Sequence, residues 1–252
     1  MPQKWPGYVW IVRHGESAGN IARHAAEASL AERVAIETRD CDVALSALGE
    51  RQADALGAWF ARLGEEHRPT VLLASPYLRA VETAERIRAR IGVDAPQLIT
   101  DERLREREFG ILDRFTKVGI ASHHPEQAEL RNLLGKFYHR PPGGESWCDI
   151  ILRLRSVIDS MSIEFAGERV LVVCHSVVVL CFRYLFERMT EDEILAIDRA
   201  SEVANCSVSS YANDPRRAQR GSAMALETFN FVAPLTEAGE RITHAPDNPG
   251  KF

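Results

Sequence analysis

The sequence has no Cys-x-x-Cys pair, no apolar run of membrane-spanning length, no internal repeat and no surplus of positive charge. Its cysteines, Cys41, Cys148, Cys174, Cys181 and Cys206, are odd in number and scattered, which reads as reduced thiols used as small core residues. The most apolar stretch, Val170 to Phe182, contains His175 and is shorter than the roughly 20 residues of a spanning helix. The opening MPQKWPGYVW lacks an apolar core of signal-peptide length. The expectation is a soluble cytoplasmic protein without a membrane partner. With 31 Lys and Arg against 36 Asp and Glu, the net charge of −5 supplies no global field to attract nucleic-acid phosphates. Local basic clusters remain suited to one small anion.

What is present is 252 residues, 45% of them hydrophobic, enough to bury a substantial core. We expect a single domain over residues 1–252, with 109–145 as a lid or insert and 233–252 as an irregular tail; the composition leaves the oligomeric state open. Tyr8 to Val12, Thr70 to Ala74 and Val170 to Cys174 read as short buried strands. Ala22 to Arg39 is helical by composition. Ser46 is a candidate cap for a helix whose apolar face carries Leu56, Trp59, Phe60 and Leu63. Ala80, Ala84, Ile87 and Ile91 mark another helix. Ser146-Trp-Cys-Asp149 resembles a capping box for a helix carrying Ile150, Leu154, Val157, Ile158 and Met161. Val177 to Met189 reads as the helix after the third strand. Cys206 to Tyr211 and Met224 to Phe231 suggest an antiparallel hairpin around the polar loop Asn213 to Gly221. The stretch from Phe109 to Glu145 looks irregular, and the end, with Pro234, Pro246 and Pro249, looks loose. The predicted fold is a three-layer α/β/α arrangement with a mostly parallel sheet and an antiparallel edge near the C-terminus.

Three predicted strands end at reactive or basic groups: Arg13-His14, Ser75 leading to Arg79, and His175. Ligands of open α/β sheets bind beyond the carboxyl ends of the strands, so these groups are expected to converge. Leu104-Arg105-Glu106-Arg107-Glu108-Phe109-Gly110 adds carboxylates from a loop. An isolated Arg-His pair is usually structural, and Glu102 and Glu108 compete with Glu106 as members of a charge run. His175 alone also suits a satisfied core histidine. His123-His124 lacks a spaced third ligand and reads as a polar loop rather than a metal site; no metal and no cofactor are expected.

Arg13-His14-Gly15-Glu16, continued by Ser17-Ala18-Gly19-Asn20, resembles the signature of the histidine phosphatase superfamily, also called phosphoglycerate mutase-like. Further stretches are similar to that family in order. They are Leu45-Ser46-x-x-Gly49-x-x-Gln52-Ala53, Ser75-Pro76-x-x-Arg79-Ala80-x-x-Thr83-Ala84, Leu104-x-Glu106-x-x-Phe109-Gly110, Pro142-Gly143-Gly144-Glu145-Ser146 and the strand ending at His175. The resemblance covers roughly residues 8 to 211 and implies a phosphoryl-transfer enzyme acting on a small phosphorylated substrate. It implies His14 as nucleophile, Arg13, Arg79 and His175 as donors to the phosphoryl oxygens, Glu106 as general acid and Asn20 as a phosphate or substrate contact. Such chemistry is positioning plus charge stabilisation, so fixed cations can stand in for a metal.

Two departures stand out. Ser176 replaces a glycine common after the second histidine, and its hydroxyl is a candidate phosphate contact. Arg114 replaces a glycine near Leu112 and either meets a second anionic group or faces solvent. Lys117 aligns with a mutase lysine, and Arg140 precedes the Pro-Pro-Gly-Gly-Glu-Ser run. Phe109, where mutases typically have tyrosine, and the absence of an Arg-Arg pair between Phe109 and Glu145 favour hydrolysis over a mutase reaction. A non-catalytic phosphate-binding protein of the same fold is the reading from another class. The intact set of nucleophile, acid and cations argues against it.

Overall fold

Neighbouring residues of a strand point to opposite faces of its sheet, and in β1 (Tyr8–Arg13) both faces are apolar. Val9 and Ile11 enter one core, and Trp10 and Val12 enter another. Such two-sided burial is the mark of an interior strand of a parallel sheet. The computed structural model describes residues 4–245. After β1 come α1 (Ala18–Ala28), α2 (Ala47–Arg62), β2 (Val71–Ala74), α3 (Leu78–Ile91), β3 (Leu98–Thr100), α4 (Lys117–His123), α5 (Pro125–Tyr138), α6 (Trp147–Glu164), β4 (Arg169–Cys174), α7 (Ser176–Phe186), α8 (Glu191–Ala200), β5 (Val208–Asn213), β6 (Met224–Phe231) and α9 (Ala233–Glu237).

The strand order is β3-β2-β4-β1-β5-β6. β1 to β4 pair in parallel, while β5 runs antiparallel to both β1 and β6. Val9, Ile11, Val71, Leu73, Val170 and Val172 pack against α6 and α7. Trp10, Val12, Leu72, Ala74, Leu171 and Val173 pack against α2 and α3. The three-layer α/β fold expected from the alternation of strands and helices is therefore present, with its antiparallel edge at β5–β6. Among the described residues no helix is long and apolar enough to cross a membrane. The cysteines are free, with Cys174, Cys181 and Cys206 buried and Cys41 and Cys148 half-buried.

Caps set the helix ends. Ser46 accepts from the Gly49 N–H at the start of α2, and Ser146 and Asp149 form the expected reciprocal box on α6.

Several expectations need correction. Ala22 to Arg39 is not one helix. A Ser17–Asn20 capping box starts α1 at Ala18, and the helix ends at Ala28, with Leu30 at a positive φ of 54°. The backbone of the following segment bonds instead to the chain around Phe115, with Thr116 N–H donating to Glu32 O and Val34 N–H to Arg114 O. Tertiary pairing overrides helical composition there. The 109–145 stretch is largely helical, since Pro125 supplies a favourable first residue for α5 rather than a break. The tail expected to be irregular from residue 233 begins with α9, whose Pro234 and Leu235 are buried. Pro246 and Pro249 lie outside the described residues. The three-residue β3 and the helix α8 had no periodicity long enough to announce them.

Candidate active site

The parallel register pairs Arg13 with Cys174, so the next residues, His14 and His175, lie side by side one step past the strand ends. Paired strands are about 4.8 Å apart, and the two imidazole centroids are 5.1 Å apart. His14 N–H continues the ladder to Cys174 O at 2.9 Å, and Ser75 N–H does the same to Val173 O at 3.0 Å. Ser75 Oγ then lies 2.8 Å from His175 Nε2. His14, Ser75 and His175 are fully buried.

The hydrogen bonds of His14 determine its tautomer. Nδ1 is 2.7 Å from the carbonyl oxygen of Gly15, which can only accept, so Nδ1 carries the proton. Nε2 accepts from Arg79 Nε at 3.2 Å, so it presents its lone pair on that side. Arg79 stands in the first turn of α3. The same helix holds the loop of His14, because Thr83 Oγ1 accepts from Gly15 N–H at 3.0 Å. Glu16 N–H donates to Gln52 Oε1 at 2.9 Å. This loop lies directly on the start of α2. A Cβ at Gly15 would stand 2.5 Å from Gly49 O, and one at Gly49 would stand 1.9 Å from Glu16 O. Only glycine at both positions allows that approach.

Arg13 is buried, donating from Nη1 to Val203 O at 2.7 Å and from Nη2 to Ala245 O at 2.5 Å. Asn20 Nδ2 donates to the same Ala245 oxygen at 3.1 Å. Two proposed phosphate donors therefore converge on a single oxygen. The chain reaches that point through Arg241 and Thr243, held by Gln52 and Asn205. Asn205 also donates to His14 O at 3.1 Å and is fully buried. Sequence reasoning missed Asn205, since a single asparagine before a strand carries no pattern.

Glu106 is fully buried on the loop after β3, its Oε1 accepting from Arg107 N–H at 2.7 Å. Glu108 lines the cleft beside it, its Oε1 accepting from the Tyr77 hydroxyl at 2.7 Å. Burial, and then the Glu108 carboxylate, raise the pKa of Tyr77. Glu145 of the Gly-Gly-Glu-Ser run fastens this loop. It accepts from Arg105 at 2.6 Å, from Arg153 at 3.0 Å and from Glu108 N–H at 3.2 Å. Gly110 meets that run backbone to backbone, where a Cβ would lie 2.1 Å from Pro142 O. Arg107 is buried over the Phe109 ring at 4.7 Å, and burial, followed by Arg131, lowers its pKa to about 10.

The adjoining cleft has a volume of about 290 Å³ and is lined by Asn20, Arg23, Asp40, Tyr77, Arg79 and Glu108, among others. The remaining candidates divide. Ser176 is the first residue of α7, directly after His175. Arg114 lines the cleft, but its guanidinium is tied to the carbonyl oxygens of Ile36 and Thr38, both at 3.1 Å. It secures that loop with its side chain 34% exposed. Lys117 is exposed on α4 and outside the cleft lining. Arg140 is exposed and bound to Asp149 at 2.7 Å. His123 pairs with Glu32 at 2.9 Å.

The assembled site thus offers one oriented imidazole lone pair, flanked by a second imidazole and a guanidinium, at the carboxyl ends of the strands. Comparison with known proteins places this geometry in context. The sequence profile of the histidine phosphatase superfamily (branch 1) matches residues 9–220. A probable fructose-2,6-bisphosphatase of Schizosaccharomyces pombe is 28% identical over 186 residues, which are 74% of this chain and 40% of that protein. The chain therefore spans less than half the length of that relative. A probable phosphoglycerate mutase, GpmB of Proteus mirabilis, is 29% identical over 232 residues, 91% of this chain and 95% of that one. The solved structure of Bacillus stearothermophilus YhfR shares the fold, with a TM-score of 0.70 and 24% identity over 90% of this chain and 98% of its own.

Proposed function

The chain belongs to the histidine phosphatase superfamily, branch 1, and from that premise we propose that it is a metal-independent phosphomonoesterase of small phosphorylated metabolites. The observation that carries the reading is the His14 tautomer, with Nδ1 donating to Gly15 O and Nε2 presenting its lone pair beside Arg79. As substrate enters, Arg79 Nε–H passes from Nε2 to a phosphoryl oxygen. The freed Nε2 lone pair attacks phosphorus in line, the N–P bond forming as the P–O bond to the leaving alkoxide breaks. Arg13, Arg79 and His175 stabilise the equatorial oxygens, with Asn20 and the Ser176 hydroxyl as further donors. Glu106 gives its proton to the leaving oxygen. In the second step it takes a proton from the water that attacks phosphorus, the N–P bond breaks and inorganic phosphate leaves with the imidazole restored.

Hydrolysis is favoured over a mutase reaction by the buried Phe109 ring, packed under Arg107, and by the outward position of Lys117. The relative named as a probable phosphoglycerate mutase, matched along 95% of its length, supports the second reading. Arg114 holds the wall of the cleft, and Arg140 serves α6 rather than substrate. Residues from Val34 to Val43 and from Phe109 to Arg114 line the cleft, and these segments are proposed to select the substrate. The test is a panel of phosphorylated metabolites assayed for phosphate release without added metal, with rapid quenching of the best substrate. Label should accumulate on His14 and vanish in His14→Ala together with activity; release that persists in that variant would reject the reading.

A further inference from the structure

All three nitrogens of the Arg79 guanidinium are engaged. Nε donates to His14 Nε2 at 3.2 Å, Nη1 to the main-chain oxygen of Asp40 at 2.6 Å, and Nη2 to Asp40 Oδ2 at 3.1 Å. The Arg79 side chain is 2% exposed and that of Asp40 is 43% exposed. A guanidinium has an end-on edge, Nη1 with Nη2, and a side-on edge, Nε with Nη2, each able to bind two oxygens at once. Asp40 occupies the end-on edge with one main-chain and one side-chain oxygen. That contact turns the side-on edge toward the lone pair of His14.

The segment that carries Asp40 is fastened along its length. Arg114, itself at a positive φ of 61°, donates to the carbonyl oxygens of Ile36 and Thr38 before it. Arg39 Nε pairs with Asp42 Oδ2 at 2.6 Å across it. Leu45 N–H donates to Glu82 Oε2 at 2.8 Å, and Ala18 N–H to Ala44 O at 3.0 Å, behind it. Glu82 lies on α3, the helix that also carries Arg79. The loop and the helix therefore hold a common frame, and the guanidinium is clamped between them.

We propose that Asp40 is a positioning residue for the reaction, setting Arg79 so that its side-on edge meets two oxygens of the phosphoryl group arriving at His14. The proposal rests on the reading that His14 is the nucleophile. Asp40 touches no reacting atom; it acts through Arg79. Its charge is secondary, and its accepting oxygen is what matters. An amide oxygen at the same place makes the same bond, whereas a methyl group does not.

This distinction sets the experiment: inorganic phosphate binding by calorimetry, and kcat and KM, for wild type, Asp40→Ala and Asp40→Asn. Asp40→Ala should weaken phosphate roughly tenfold, the scale of one hydrogen bond to a charged group, with a loss of at least that size in kcat/KM. Asp40→Asn should stay within about threefold of wild type in phosphate affinity, about 0.65 kcal/mol. Both variants should still unfold cooperatively, with Asp40→Ala at the lower midpoint, because it leaves the buried Arg79 guanidinium one acceptor short while Asp40→Asn does not. Tighter phosphate binding in both variants would mean that Asp40 merely repels the anion, and unchanged binding in both would mean that its side chain is idle; either overturns the proposal. If wild type neither binds phosphate nor becomes labelled on His14, the underlying reading fails and this inference fails with it. Labelled wild type with an Asp40→Ala variant that behaves identically rejects the inference alone.

Discussion

Arg79 Nε lies 3.2 Å from His14 Nε2 and donates to it, while His14 Nδ1 lies 2.7 Å from its own neighbour's carbonyl oxygen. A proton on Nδ1 and a lone pair on Nε2 follow, since a carbonyl oxygen accepts only. Phosphorylated enzyme should therefore carry the phosphoryl group on Nε2. Phosphorus–nitrogen coupling in NMR of denatured, ring-labelled protein distinguishes the two nitrogens, and attachment at Nδ1 would contradict the orientation described.

On the proposed reading, Arg13, Arg79 and His175 donate to the phosphoryl oxygens and stabilise the transition state without a metal ion. Dialysis against a strong chelator should leave kcat unchanged within about twofold, well below the loss expected from a missing metal ion worth several kcal/mol. An inactive dialysed enzyme revived by a divalent ion would require a different mechanism.

Phe109 is 6% exposed and has no hydroxyl, and Lys117 is outside the cleft lining. Interconversion of 2- and 3-phosphoglycerate should be slow beside hydrolysis of the preferred substrate. Coupled assays in both directions check this, and a mutase rate exceeding the hydrolytic one reverses the assignment.

Glu106 and Glu108 differ in surroundings, the first fully buried and the second lining the cleft with the Tyr77 hydroxyl on its oxygen. General-acid catalysis contributes about 10²- to 10⁴-fold and matters most for basic leaving groups. In single-turnover phosphorylation of His14, Glu106→Gln should lose much of that factor on an alkyl phosphate and less on 4-nitrophenyl phosphate. Glu108→Gln should alter neither rate greatly. A leaving-group-dependent defect in Glu108→Gln identifies that carboxylate as the acid instead.

His139 is 1% exposed, and burial, then Arg131 and Arg107, lower its pKa from 6.5 to about 4. Below pH 6.5 the unfolded chain binds a proton that the folded chain refuses, so stability declines as pH falls from 6.5 to about 4. Urea unfolding across that window should give a shallower pH dependence for His139→Gln than for wild type. Parallel curves would show that His139 charges freely in the fold.

The residues of the site were legible to different degrees. Gln52, Thr83 and Glu145 fell within stretches whose spacing pointed to the family, yet spacing did not reveal what they hold. Gln52 binds Glu16 N–H, Thr83 binds Gly15 N–H and Glu145 binds the loop of Glu106 and Glu108. Asn205 and Asp40 had no such context. Arg114 left two roles open, and its bonds to Ile36 and Thr38 add a third that spacing could not reveal.

By itself the sequence determined the layered fold and the residues at the strand ends. Both follow from short-range rules: apolar runs buried on two faces make interior strands, and the residue after a strand's last apolar position stands at its carboxyl end. Only the tertiary structure decided the His14 tautomer, the convergence of Arg13 and Asn20 on Ala245 O, and the clamp of Asp40 on Arg79. The last two are directional bonds between residues 39 to 232 positions apart, and the tautomer combines a bond to the adjacent Gly15 O with one from Arg79, 65 positions away. No local periodicity encodes them, because each requires two distant segments to be held at hydrogen-bond distance by the packing of everything between.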